Sequence, residues 1–252
     1  MKTNILILWA TPRSTSTAFE WMMRQRGDFV CYHEPFNELY YYGEDRRSQR
    51  DAGVRARPGH NYAAVWEEIL QQAKTEKVFI KDFVYSVRHM IDDDFLSACD
   101  HSFLVRDPKR VVPALNHHWP DFTLEETGFE SLSALFDRLE LRDGQAPPVI
   151  ASQDLLDDPE TVTEAYCEAL GIPFVREALS WEQGERKAVS WYGEGSGPWH
   201  DNLRASTGIK PQTSSYPPIE SSPKLVEAYQ ACLPHYEKLY RRRLCKAQAG
   251  TL

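Results

Sequence analysis

The chain has 252 residues, a 42% hydrophobic fraction and a formal net charge of -8, enough length and apolar content for a sizeable core. The acidic balance argues against nucleic acid as a partner, which needs a basic excess on one face, and no apolar run reaches the roughly 20 residues that cross a bilayer. Five scattered cysteines show neither CxxC nor zinc-ligand spacing, so reduced thiols in a cytoplasmic protein are expected, without a disulfide or metal framework.

The first apolar run, NILILWA (4–10), reads as a buried strand. It starts close to residue one and leads into a polar, arginine-containing loop instead of a small-residue cleavage site, so it does not read as a secretory leader. A helical period follows over 17–26, then a second strand, FVCYHE (29–34). The stretch 37–61 is rich in Arg, Gly and Tyr, keeps no steady period, and is expected to be irregular, as a lid would be. A helix over 61–74 precedes the strand KVFIKD (77–82), and HSFLVRD (101–107) opens into a helix over 108–118. Another helix at 130–140 leads to the strand PPVIAS (147–152). Asp157, Asp158 and Pro159 then signal a helix over 158–170 that Gly171 and Pro173 stop. A Gly-, Ser- and Pro-rich stretch over 191–223 is a second candidate lid, before a last helix at 223–241. Strands alternating with crossover helices predict one α/β domain over 1–252, a three-layer sandwich whose mostly parallel central sheet is covered on both faces.

Ligands in such sheets bind at the carboxyl ends of the strands. That rim brings together the loop after the first strand, HEPF after the second and RDPKR after the fourth. The first loop, TPRSTSTAFE, hands a strand over to a helix, where backbone N–H groups and the positive end of the helix dipole converge on one point. Ser14, Thr15, Ser16 and Thr17 add hydroxyl donors and Arg13 adds a charge, so the loop is suited to a phosphate or sulfate. Ser/Thr-rich stretches also serve as ordinary helix caps. The GxxxxGK[ST] pattern of a nucleotide-hydrolysing P-loop is absent.

The order Pro12, Arg13, Ser14, Ser16, Thr17 resembles the 5′-phosphosulfate loop of the sulfotransferases that use 3′-phosphoadenosine 5′-phosphosulfate (PAPS), a family with a P-loop-like fold. Thr15 stands where that loop usually has glycine, so this loop must turn with ordinary backbone angles or bear strain. The segment after the fourth strand resembles the family's 3′-phosphate segment, which makes Arg106 the implied phosphate contact, although Ala114 replaces the usual helix serine. Lys109 or Arg110 can compensate for that hydroxyl. The family also implies an acidic residue after the second strand, and Glu34 fits the role of the base that takes the acceptor proton, with His33 beside it. Neighbours on a strand point to opposite faces, so one of this pair is expected to face the donor. The segment GEGSGPWHDNLRASTGI loosely resembles the stretch that folds over the nucleotide, implicating Gly195, Trp199 and Arg204.

The resemblance implies PAPS as co-substrate, no metal, and a small-molecule alcohol or phenol as acceptor. Tyr40, Tyr41, Tyr42, Trp119 and Trp199 suit an aromatic-lined pocket or ordinary packing. Arg46, Arg47, Arg50, Arg55 and Arg57 read as a solvated lid face. Two other readings are a kinase or nucleotide hydrolase with an atypical P-loop, and a non-catalytic nucleotide-binding relative, which the departures at Thr15 and Ala114 favour.

Overall fold

A computed structural model of the protein describes residues 1–50, 53–184, 201–211 and 216–244. The elements follow in chain order: β1 (Ile5–Ala10), α1 (Ser16–Gln25), β2 (Val30–His33), α2 (Pro35–Tyr42), α3 (Tyr62–Gln72), β3 (Val78–Asp82), α4 (Val84–Val87) and α5 (Asp93–Ala98). They continue with β4 (Asp100–Val105), α6 (Pro108–His118), α7 (Phe129–Asp143), β5 (Val149–Ala151), α8 (Ser152–Asp157), α9 (Pro159–Leu170), α10 (Asp201–Arg204) and α11 (Pro223–Arg241). The five strands form one sheet in the order β2-β3-β1-β4-β5, and every pairing is parallel.

β1 lies at the centre and is buried along its whole length. Its side chains alternate between two cores. Leu6, Leu8 and Ala10 pack with Phe19, Met22 and Met23 of α1 and Tyr166 of α9. Ile5, Ile7 and Trp9 pack on the other face with α3, α5 and α7 through Ile69, Phe95, Leu132 and Phe136. A strand covered on both sides needs apolar residues at every position, which is why ILILWA reads as a continuous run. The three-layer arrangement is the one the alternation of elements predicts.

The chain leaves β1 toward β2 and β3 on one side, then leaves β3 for β4 on the other. The connections after β1 and β4 therefore diverge, opening a crevice between the carboxyl ends of these two neighbouring strands. This topology, not sequence proximity, brings the loop after Ala10 beside the residue after Val105.

Three structural findings bear on the sequence reading of the 37–61 stretch. Its first part is helix: α2 starts at Pro35 and runs to Tyr42. Tyr40 and Tyr41 are buried in the core, in keeping with the packing alternative. Arg50 is no solvated charge: it forks onto Glu126 at 2.9 and 3.0 Å, bonds Asp121 at 2.7 Å and lies over the Trp119 ring. Glu126 is buried and also accepts from the Tyr41 hydroxyl at 3.0 Å. Burial works to raise its carboxyl, but Arg50, the Thr123 amide and Tyr41 together hold it below the usual range. Short helices α4, α5 and α8 also replace stretches the sequence left unassigned. Among the described residues no helix is long and apolar enough to cross a membrane.

His101 on β4 is buried, accepting from Trp9 Nε1 through Nδ1 at 3.1 Å, with Nε2 3.1 Å from the Leu96 carbonyl. Burial lowers its pKa from 6.5 to about 4, so the unfolded chain takes up the proton first as pH falls. The stability this residue provides is complete above pH 6.5 and is lost on acidification toward pH 4, by about 3 kcal/mol in total. Asp82, considered below, has the opposite slope, so the variant comparison isolates the effect. In urea titrations between pH 7 and 4.5, His101→Gln is expected to lose stability less steeply than the wild type. Equal slopes would contradict the assignment.

Candidate active site

Pro12, Arg13 and Ser14 form the turn between β1 and α1, with Thr15 as the residue preceding the helix. Arg13 has φ 58° and Thr15 φ 74°, a left-handed conformation that costs a residue with a Cβ about 1–2 kcal/mol. The loop thus bears strain instead of turning with ordinary angles. Two neighbours hold it in place. Arg106 Nη1 donates to the Arg13 carbonyl at 2.8 Å, across the crevice, and the Thr15 hydroxyl pairs with that of Ser152, at the end of β5, at 2.8 Å. Thr15 makes no cap bond to α1, so the ordinary-cap reading does not describe it.

The hydroxyls of the loop are not equivalent. Ser14 is buried and donates to the Thr11 carbonyl at 2.5 Å, which fixes the turn. Ser16 is buried in the first turn of α1, whereas Thr17 is half-buried. The first amides of a helix have no carbonyl one turn behind them, so this end of α1 presents donors together with the positive end of its dipole.

Arg13 and Arg106 line one cleft of about 600 Å³, with Lys109, Arg110, Ala114, Gln153 and Tyr216. Burial, then the like charges of Arg110 and Arg13, depress the Arg106 guanidinium. It nevertheless remains a cation at any ordinary pH. Crowded cations in a concave site are suited to a polyanionic ligand, whose charge relieves their repulsion. Ala114 lines the cleft with exposed Lys109 and Arg110 alongside, so cations stand close to the position of the missing serine. Arg204 ends α10, where its carbonyl accepts from the Gly184 amide at 3.0 Å, and it is absent from this lining. Gly195 and Trp199 lie outside the described residues.

At the end of β2, Glu34 has φ 47° and precedes α2. That twist breaks the strand alternation. His33 and Glu34 therefore do not diverge as expected: His33 Nε2 lies 3.9 Å from Glu34 Oε1. Both residues are buried. His33 Nδ1 meets Glu20 of α1, and Glu34 Oε1 meets Lys81 Nζ on β3. Asn37 Nδ2 donates to Glu34 Oε2 at 3.0 Å, and Tyr85 in turn donates to Asn37 Oδ1 at 3.0 Å. Burial works to raise the Glu20 carboxyl, but His33, Lys81 and Arg24 outweigh it and hold Glu20 below its usual value. The carboxylate of Glu34 is thus oriented by two partners and its charge is compensated by Lys81.

Sequence reasoning missed Glu20, Asn37, Lys81, Asp82 and Ser152. A signal existed for some of them. Lys81 and Asp82 close the apolar run of KVFIKD, and Glu20 falls on the buried stripe of α1 with Ser16, Phe19 and Met23. Charges at apolar positions require partners.

A family model described as a sulfotransferase domain matches residues 4–243. Branched-chain-amino-acid aminotransferase-like proteins 2 and 1 of Arabidopsis thaliana are 26% and 28% identical over 239 and 244 residues, in each case 94% of this chain. The chain spans 41% and 40% of the lengths of these curated relatives. The sulfotransferase domain of the Synechococcus PCC 7002 olefin synthase superposes with a TM-score of 0.53 at 15% identity, over 91% of this chain and 94% of that one. Mouse sulfotransferase SULT7A1 complexed with PAP gives 0.54 at 11% identity, over 98% and 86%. At these identities the structural likeness shows a shared fold.

Thr15 provides a local test. Thr15→Ala and Thr15→Gly both lose the bond to Ser152, but glycine alone adopts positive φ at little cost. Thr15→Gly is expected to be the more stable of the two by about 1 kcal/mol in denaturant titration. The reverse order would mean that the loop does not hold a left-handed residue here.

Proposed function

The chain belongs to the sulfotransferase domain family, and from that membership we propose that it moves a sulfuryl group from PAPS to the hydroxyl of a small-molecule alcohol or phenol. One observation carries the reading: Arg106 and Arg13 are joined across the crevice at 2.8 Å and line the same cleft. The likeness to SULT7A1, solved with PAP, adds support for an adenosine bisphosphate ligand.

In this reading Arg13, the loop hydroxyls and the first amides of α1 hold the 5′-phosphosulfate end, and Arg106 holds the 3′-phosphate with help from Lys109 or Arg110. Glu34 takes the proton from the acceptor hydroxyl. The acceptor oxygen forms a bond to sulfur while the bond from sulfur to the 5′-phosphate oxygen breaks, and Arg13 stabilises the charge left on that oxygen. Transfer between two oxygens through a loose transition state depends on placement and charge stabilisation, much as phosphoryl transfer does. His33, fixed by Glu20, lies against Glu34.

Binding and turnover separate the roles. In thermal-shift measurements adenosine 3′,5′-bisphosphate is expected to raise the melting temperature and ATP with magnesium is not, since a ligand of the folded state stabilises it. Arg13→Ala and Arg106→Ala should each weaken binding of that bisphosphate about tenfold or more. Glu34→Gln should leave binding within twofold and reduce turnover by about 10²-fold or more. Full turnover in Glu34→Gln would contradict the base assignment, and stabilisation by ATP with magnesium alone would favour a kinase or hydrolase.

A further inference from the structure

Asp82 ends β3 and is completely buried. Its Oδ2 accepts from the Phe36 amide at 2.7 Å and, more weakly, from the Asn37 amide at 3.4 Å. Its Oδ1 accepts from the Phe83 amide at 2.7 Å and the Ser86 hydroxyl at 3.2 Å. Phe36 and Asn37 are the second and third residues of α2, and Pro35, the first, has no N–H. These are the amides that the residue preceding a helix ordinarily caps with its own side chain. Here that residue is Glu34, and it makes no such bond.

We propose that Asp82 is the positioning residue of the site: by capping α2 from the neighbouring strand it leaves Glu34 in a left-handed turn, with its carboxylate facing Lys81 and Asn37 instead of folding back onto the helix. The proposal rests on Glu34 being the base. Two acceptor oxygens are needed because Oδ2 serves α2 while Oδ1 serves the turn into α4, and a carboxylate supplies both. The placement opposes ordinary stability. Burial and the adjacent Glu34 charge push Asp82 up to about 7, with Lys81 as the compensating cation beside it and Tyr62 of α3 the further titratable group that feels its charge. Without this cap, Glu34 could cap its own helix, which would withdraw its carboxylate from Lys81.

The test is a double-mutant cycle on the full chain, because a residue that acts through Glu34 has nothing to act on once Glu34 is disabled. Turnover is read as release of adenosine 3′,5′-bisphosphate from PAPS with benzyl alcohol as acceptor, whose hydroxyl keeps its proton at neutral pH, water serving where the alcohol does not. Binding of adenosine 3′,5′-bisphosphate and the melting temperature are read alongside. Asp82→Asn retains one acceptor oxygen and is expected to lower kcat at least tenfold with bisphosphate binding within twofold. In the Glu34→Gln background the same change should cost less than twofold. Asp82→Ala is expected to follow the same pattern, and if it does not fold, Asp82→Asn decides alone. Equal cost in both backgrounds, or parallel loss of binding, kcat and melting temperature, would reduce Asp82 to a structural cap and overturn the proposal. Full turnover in Glu34→Gln alone would instead overturn the base assignment, so the two failures are distinguishable.

Discussion

The hydrogen bond from Arg106 to the Arg13 carbonyl, 2.8 Å across the crevice between β1 and β4, is the contact on which the site depends. It joins two segments 93 residues apart in the chain and sets two guanidinium groups beside one cleft. Like charges do not assemble unaided. The sheet order brings the two strand ends together, and the covered central strand supplies the rigidity that keeps them there. The Thr15–Ser152 bond extends the same tie to β5, so the loop is gripped from two successive strand ends.

Strain accompanies this arrangement. The non-glycine residues with positive φ among the described residues are Arg13, Thr15 and Glu34, and all three belong to the loops at the strand ends. A left-handed residue persists where its surroundings over-determine it. Here the surroundings are specific: the Arg106 and Ser152 contacts at the first loop, and Lys81, Asn37 and Asp82 around the second. The outcome is two preorganised groups at one rim, a cationic cleft and a buried, paired carboxylate. Groups fixed before the ligand arrives need no reorganisation at the moment of reaction.

The sequence made the scaffold legible and the polar interior much less so. The five strands and the helices at 108–118 and 223–241 are visible because an apolar run or a 3.6-residue period is a local property. The turn from β1 into α1 and the strand end at Arg106 are legible for a similar reason, since strand-to-helix transitions carry their own pattern. α2 was hidden because Glu34 is not a usual capping residue and its aromatic run YYY has no clear stripe. The pairing of His33 with Glu34 was misjudged because the strand rule ends where the backbone turns left-handed. Glu20 meets His33 13 residues away, Lys81 meets Glu34 47 residues away and Asp82 meets the Phe36 amide 46 residues away, and such long-range partnerships have no local signature. Arg50 belongs to the same group. One of five arginines in a charged stretch, it is distinguished by the buried Glu126 that only the fold brings to it.

The account stands on a single ligand bridging the loop and Arg106. A crystal soaked with adenosine 3′,5′-bisphosphate measures this directly: the 5′-phosphate is predicted on the amides and hydroxyls of residues 13–17, and the 3′-phosphate on the Arg106 guanidinium. A nucleotide bound elsewhere, or one whose phosphates touch neither Arg13 nor Arg106, would contradict it.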